Sequence, residues 1–341
     1  MLILYRQDGF LLVEKQTKIL QPTAENIELC ARALRAGELV AFPTETVYAL
    51  GAAATDDRAV EKVFEVKGRS RDKALIVAVS DKSRVGDVVK RIPQKARMLM
   101  DRFMPGALTL VMDKADCIPS VTTAGGSYVA VRIPDNPVAL KLIELAGCPV
   151  VVPSANTSDK ASPTLASHVL DDLGGRIQYV LDGGASEIGI ESTVIDMRVD
   201  PPVVLREGGV TVAQIESVIG GVAFKREPSK LSGGYTPNAE VLFAAYFDGM
   251  AQSIISRYDE LTRRGAQVVI FCLDGNRELY GSRNAYALGK DYKAYAHNLF
   301  AALRRADADL YETVIAEGVN PEGIGESLIA RLIKLSGGMI I

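Results

Sequence analysis

Residues 67–73 read Lys-Gly-Arg-Ser-Arg-Asp-Lys, about one helix downstream of Pro43-Thr44-Glu45-Thr46-Val47-Tyr48-Ala49-Leu50. In an extended segment side chains alternate with period two, so Lys67, Arg69, Arg71 and Lys73 share one face. Four cations on one face match a polyanion such as a triphosphate. A solvated basic loop is the alternative, since neighbours roughly 6–7 Å apart repel by only ~0.6 kcal/mol per pair in water. Charge alone does not decide between them; motifs further along the chain bear on the choice.

Several polar residues stand at the ends of apolar runs. Pro153-Ser154-Ala155-Asn156 succeeds the apolar stretch Pro149–Val152. In an open α/β sheet, ligands sit beyond the carboxyl ends of strands. Ser154 can donate to phosphate, and Asn156 offers two donors and an acceptor. A plain Ser/Asn turn is the other reading. Ser162 precedes Pro163 and Thr164, which makes it an N-cap if a helix starts there. A helix N-terminus is also an anion site, so the two uses are compatible. Glu191-Ser192-Thr193-Val194-Ile195-Asp196 places polar residues at the mouth of a short strand, and Arg206-Glu207-Gly208 ends the next one. A surface ion pair is the commoner use of a lone Arg such as Arg206. Arg132 lies inside the strand Val129-Ala130-Val131-Arg132-Ile133-Pro134. Buried there, it needs a carboxylate or phosphate partner; otherwise it faces solvent.

Other chemistries are missing. No Gly-x-x-x-x-Gly-Lys-Ser/Thr loop occurs, and Gly323-Ile324-Gly325 has Leu328 where a dinucleotide fingerprint needs its third Gly. Neither a Gly-x-Ser-x-Gly elbow nor His-Glu-x-x-His is present. With only His168 and His297, a zinc site or a histidine triad is not expected. Cys30, Cys117, Cys148 and Cys272 form no Cys-x-x-Cys and read as reduced thiols, mostly in the core.

Length and periodicity predict the elements that must position these residues. A chain of 341 residues is expected to form two domains. Its 48% hydrophobic and 24% charged content is that of a globular protein, and a net charge of −3 weighs against a dedicated nucleic-acid binder. No basic leader is evident and no apolar run approaches the ~20 residues of a membrane helix, so a soluble cytoplasmic protein is expected. Thr23 reads as the N-cap of a helix that Gly37 stops. Further helices are expected at Asp57–Val66, Gln94–Phe103, Pro137–Ala146, Pro163–Leu173 and Thr211–Ile219. Strands are expected at Leu39–Phe42, Ala74–Val79, Leu108–Met112, Val129–Ile133, Pro149–Val152, Tyr179–Leu181, Thr193–Asp196 and Val203–Leu205. The short late strands imply a mixed sheet. Lys225–Asn238, with Pro228, Gly233, Gly234 and Pro237, reads as a linker. It divides the chain into 1–224 and 239–341. The second part alternates strands Val241–Ala244, Val268–Cys272 and Thr313–Ala316 with helices Ala251–Arg264, Tyr292–Ala306 and Gly325–Leu335, a small open α/β sheet.

Taken together these segments resemble the L-threonylcarbamoyl-AMP synthase family, in its long form. They keep the family's order over about 200 residues: Pro-Thr-Glu-Thr-Val-Tyr, Lys-x-Arg, Val-Arg-Ile-Pro, Pro-Ser-Ala-Asn, Ser-Pro-Thr, Ser-Thr-Val-Ile-Asp and Arg-x-Gly. The tail, with Gly323-Ile324-Gly325 and Ala330-Arg331-Leu332, is similar to the long form's C-terminal domain. The resemblance implies a YrdC-like twisted mixed sheet with a concave pocket, plus a smaller Rossmann-like domain. It implies an enzyme joining L-threonine, bicarbonate (or CO2) and Mg-ATP into threonylcarbamoyl-adenylate and pyrophosphate. A partner transferase would then use that product on a tRNA adenosine beside the anticodon, with no stable nucleic-acid binding by this chain. By position, Thr46, Arg132, Val152 and Ser192 would hold threonine. Lys67, Arg69, Lys73, Ser154, Asn156, Ser162 and Arg206 would hold ATP, with Lys67 and Arg69 nearest the chemistry. The linker would be a lid presenting Tyr235 to ATP. The chain departs from the pattern at Ala78, where long-form members commonly have histidine near threonine, and at Ala49, Tyr128 and Gly234. Ala78 keeps open an enzyme that adenylates a different carbamate. A regulatory protein binding RNA on the same concave surface is the reading from another class.

Overall fold

Thr23 is extended, and its side chain accepts a hydrogen bond from the Asn26 amide, which starts the first helix at Ala24–Arg35. That expectation and most of the others hold to within a residue or two in the computed structural model, which describes residues 3–5, 11–13, 16–158, 160–224 and 237–341. Helices Gln94–Phe103 and Pro137–Ala146 and strands Tyr179–Leu181, Thr193–Asp196 and Val268–Cys272 have the expected bounds.

Among the described residues, eleven short strands form one mixed sheet. Its order is Ala223–Phe224, Val203–Arg206, Thr193–Asp196, Leu108–Asp113, Tyr128–Arg132, Ile76–Ala78, Val150–Val151, Ala49–Ala53, Val40–Phe42, Tyr179–Leu181 and Lys18–Leu20. The sheet is buried on both faces by alternation. Val40, Phe42, Ala78 and Val150 face helices Ala24–Arg35 and Pro137–Ala146, while Ala41, Val77 and Val151 face a larger core that includes Phe64, Leu99 and Ile215.

The register sets the site. Ala78 pairs with Arg132, Ala130 with Val111, and Thr109 with Val194, which in turn pairs with Arg206. Paired residues point to the same side of a sheet, so Arg132, Thr109 and Arg206 share the face of Ala78. The two helices cover one part of that face. Among the described residues the remaining part carries a small apolar group, Ala74, Val111, Ala130 and Val194, with Ile76, Ala124, Tyr128 and Leu205 packed against it.

The second part is a four-stranded parallel sheet, ordered Glu240–Ala244, Thr313–Glu317, Val268–Cys272 and Ala285–Ala287. The last of these strands was not expected: Ala285–Ala287 has three residues, partly exposed, and too short an apolar pattern to read. This sheet's core extends into the first part through Val47, Ala161 and Ile190. Helix Tyr292–Ala308 lies directly on a turn there. A Cβ on Gly189, whose φ is +79°, would stand 2.4 Å from the His297 Cα, so only glycine permits the approach. Of the four thiols, Cys30 and Cys272 are buried, Cys148 is half-buried and Cys117 is exposed. The core assignment therefore holds for two.

One buried ion pair ties the parts together. The Asp172 side chain is fully buried, and Arg304 grips it twice, Nη1 to Oδ1 at 3.1 Å and Nη2 to Oδ2 at 2.6 Å. Lys160 adds a third contact at 3.2 Å. Removing one member of such a pair leaves an uncompensated buried charge. Asp172→Ala is therefore expected to lower stability by about 3–5 kcal/mol, read as a shift in the urea midpoint. A loss below about 1 kcal/mol would place the pair among solvent-screened surface contacts.

Candidate active site

Arg132 sits in the sheet's open face and is buried. Its Nη2 donates to Glu45 Oε1 at 2.6 Å and to Thr46 Oγ1 at 2.8 Å, and its Nε donates to the Gly106 carbonyl at 3.3 Å. The partner that burial demands is thus Glu45, from the Pro-Thr-Glu-Thr turn. Thr44 builds that turn: its hydroxyl accepts from the Thr46 and Val47 amides and donates to the Val47 carbonyl. The second Glu45 oxygen, Oε2, is buried with no partner among the described residues. Beside this pair Thr46, Arg132 and Val152 line a small cleft with Thr44, Val47, Ala49, Ala78 and Pro134. Three of the four residues assigned to threonine by resemblance meet there. Ala78 and Ala49, two of the departures from the family pattern, are part of the same wall.

Ser192, the fourth, stands next to the cleft rather than in its lining. Its hydroxyl is 2.8 Å from Thr109 Oγ1 and accepts from Arg206 Nη2 at 3.1 Å, while its carbonyl accepts from Arg206 Nε at 3.0 Å. Arg206 is therefore not a surface ion pair. Burial pushes its pKa down to about 10, with Glu191 pulling it up and Arg331, Arg132 and Arg69 pushing it down. These cations act on one another, a field that an anion would relieve.

The basic run does not adopt the expected extended form. Asp56 caps a helix that continues to Lys67, and Gly68, at φ +59°, ends it in the left-handed region. Lys67, Arg69, Arg71 and Lys73 therefore do not share a face. The reason lies in the helix pattern: Val60, Val63, Phe64 and Lys67 are spaced i, i+3, i+4, i+7, so Lys67 falls on the buried stripe. Its Nζ donates to the Ser154 carbonyl at 2.5 Å, the Asn156 carbonyl at 2.5 Å and Asn156 Oδ1 at 3.3 Å. Burial lowers its pKa to about 7, helped by Arg69 and opposed by Asp172. In this arrangement Lys67 holds the Pro-Ser-Ala-Asn loop. Asn156 Nδ2 also stays within the loop, donating to Lys160 O at 2.6 Å.

Arg69 is half-buried, donates to Ala74 O at 3.2 Å, and has its Nε buried without a partner among the described residues. Burial pushes its pKa down to about 10, with Asp72 opposing. Lys73 is half-buried, whereas Arg71 is exposed and pairs with Glu61 at 2.6 Å. Ser162 is not an N-cap: the helix begins at Ala166 after Leu165, and Ser162 Oγ donates to Glu191 Oε1 at 3.1 Å. The lid expected over 225–238, with Tyr235, lies outside the described residues except for Pro237 and Asn238.

Reading the sequence alone missed the roles of Glu45, Glu191 and Arg331. Glu191 accepts from Ser162 through one oxygen and from Arg331 through the other. A signal for Arg331 existed, since Ser327 and Arg331 are polar positions on the apolar stripe of Leu328, Leu332 and Leu335.

Two family models match the chain: the Sua5/YciO/YrdC model, described as "Telomere recombination", over residues 32–208, and "Threonylcarbamoyl-AMP synthase, C-terminal domain" over residues 210–337. The threonylcarbamoyl-AMP synthase of Pyrococcus abyssi is 41% identical over 330 residues, covering 92% of this chain and 95% of its own. The chain belongs to the threonylcarbamoyl-AMP synthase family. The Bacillus subtilis synthase is also 41% identical, over 92% of this chain and 94% of its own. A crystal structure of P. abyssi Sua5 complexed with L-threonine superposes with a TM-score of 0.89 at 40% identity, covering 96% of this chain and 98% of that one. E. coli YciO, at 24% identity and a TM-score of 0.51 over 57% of this chain, shares the fold of the large-sheet part. Among the described residues no helix is long and apolar enough to cross a membrane.

Proposed function

We propose that this chain condenses L-threonine, bicarbonate or CO2, and ATP into L-threonylcarbamoyl-adenylate, releasing pyrophosphate. The observation that carries the reading is the identity of 41% to threonylcarbamoyl-AMP synthases along nearly the whole chain. The buried Arg132 beside a small cleft agrees with it. Arg132 would take the amino-acid carboxylate, because a planar fork pairs with it bidentately. Thr46, the Val152 backbone and Ser192 would complete the threonine seat. Arg69, Lys73 and Arg206 would meet the phosphates, Ser154, Asn156 and Ser162 would add polar contacts, and Tyr235 would close the site from the linker. Lys67 would act by holding the loop of Ser154 and Asn156.

No side-chain nucleophile is needed. The amine of threonine captures CO2 as a carbamate, a carbamate oxygen attacks the α-phosphorus of ATP, and pyrophosphate leaves. The protein contributes positioning and neutralisation of developing negative charge. Mg2+ would accompany the nucleotide and share that neutralisation. The product would pass to a transferase acting on tRNA in the cytoplasm.

The test is pyrophosphate release with Mg-ATP, L-threonine and bicarbonate, each omitted in turn. Release is expected only with all three present. Release without threonine would shift the reading to another carbamate, which the Ala78 wall of the cleft would then explain. No release by a folded protein would overturn the synthase reading.

A further inference from the structure

Helix Ile324–Leu335 brings two buried polar residues to the candidate site, Ser327 and Arg331, one turn apart on one face. Ser327 Oγ donates to the Gly208 carbonyl at 2.6 Å and so holds the turn after Arg206. Arg331 pairs with Glu191 Oε2, while its guanidinium carbon lies 5.6 Å from the centre of the Phe300 ring. Glu191 immediately precedes Ser192, whose carbonyl and hydroxyl receive Arg206. One carboxylate from the first part is thus connected to Ser162, to the segment of Ser192, and to a cation from the second part.

A half-buried carboxylate is out of place among groups meant for phosphates. It repels an incoming polyanion, and it competes for Arg206, which already feels its charge. We propose that Arg331 is a positioning residue of the nucleotide site. It neutralises Glu191, so that Arg206 remains available to the anionic substrate and Ser162 and Ser192 stay in place. The second part of the chain is then a component of the active site. This inference rests on the synthase reading above.

The experiment uses the full chain. Arg331→Met puts an uncharged side chain beside Phe300 and removes the charge, whereas Arg331→Lys keeps a cation. Losing one member of this charge pair is expected to raise the KM for ATP about 10- to 100-fold in Arg331→Met, with a smaller rise in the KM for threonine through Ser192. Arg331→Lys should recover most of the loss. Adding Glu191→Gln to Arg331→Met should also recover it, because the unpaired charge is gone. A purely structural contact would instead lower the urea midpoint of Arg331→Met while leaving the KM for ATP unchanged.

An unchanged KM for ATP in Arg331→Met overturns the proposal. So does a loss that neither the lysine nor Glu191→Gln repairs. If Arg331→Met does not fold, Glu191→Gln with Arg331→Met still decides: ATP affinity close to the parent supports neutralisation, and a lasting loss overturns it. Failure of the parent to release pyrophosphate would count against the synthase reading instead, and direct ATP binding to the same variants would still test Arg331.

Discussion

Arg132→Met is expected to abolish threonine use and to destabilise the protein at the same time. Both effects have one cause. The guanidinium is paired with Glu45, and Glu45 is itself 4% exposed with one oxygen already unpartnered among the described residues. Removing the cation takes that partner from a carboxylate in a buried turn. The cost is about 3–5 kcal/mol. The substrate carboxylate loses its partner too, which is expected to weaken threonine binding by about 100-fold or more. Arg132→Lys separates the two effects. A lysine supplies a point charge near Glu45 and recovers stability, but it cannot present two parallel donors to a carboxylate. Urea unfolding and threonine calorimetry on the same samples measure the two. Unchanged threonine affinity in a folded Arg132→Met would remove Arg132 from the substrate seat.

Lys67→Met should have the second large effect, and it differs in its pH dependence. The ammonium has three donors and meets three oxygens, on Ser154 and Asn156. Without it two carbonyls and an amide oxygen lose their partner, at a cost of about 2–4 kcal/mol. The loop of Ser154 and Asn156 shifts, and ATP affinity should fall more than about tenfold. In the parent, burial holds the native pKa of Lys67 at about 7, below the ordinary 10.5. Between those values the unfolded chain carries a proton on Lys67 that the native chain lacks. The Lys67 contribution to stability therefore rises with pH from about 7 to 10.5, because the cost of a buried charge is relieved. ATP affinity should move the other way over the same range, since a neutral amine has only two N–H donors for three oxygens. Lys67→Met should lack both trends. If parent and variant show the same pH profiles for unfolding and for ATP binding, Lys67 does not hold the loop.

The sequence carried a good deal of this on local grounds. Thr23, Asp56 and Asn136 cap their helices where side-chain oxygens can meet free amides. Strands such as Val268–Cys272 were legible because both their faces are buried and the whole segment is apolar. The alternation of helices and strands gave two α/β sheets. The order of short polar motifs, by resemblance, pointed to the family to which the chain belongs and to the residues of the cleft.

Where local signals compete, folding decided differently. The basic run looked like one extended face because four cations alternate, but the apolar spacing from Val60 onward kept the segment helical through Lys67. Ser162 looked like a cap, yet its hydroxyl serves Glu191 and the helix starts at Ala166.

Pairings between distant residues were not legible at all. Glu45 with Arg132, Asp172 with Arg304, and Glu191 with Arg331 join positions 87, 132 and 140 apart in the chain. Periodicity and capping act over a few residues and fix elements, faces and ends. Which buried charge neutralises which depends on the sheet register and on the docking of the second sheet's helices against the first part, and these exist only once the chain has folded.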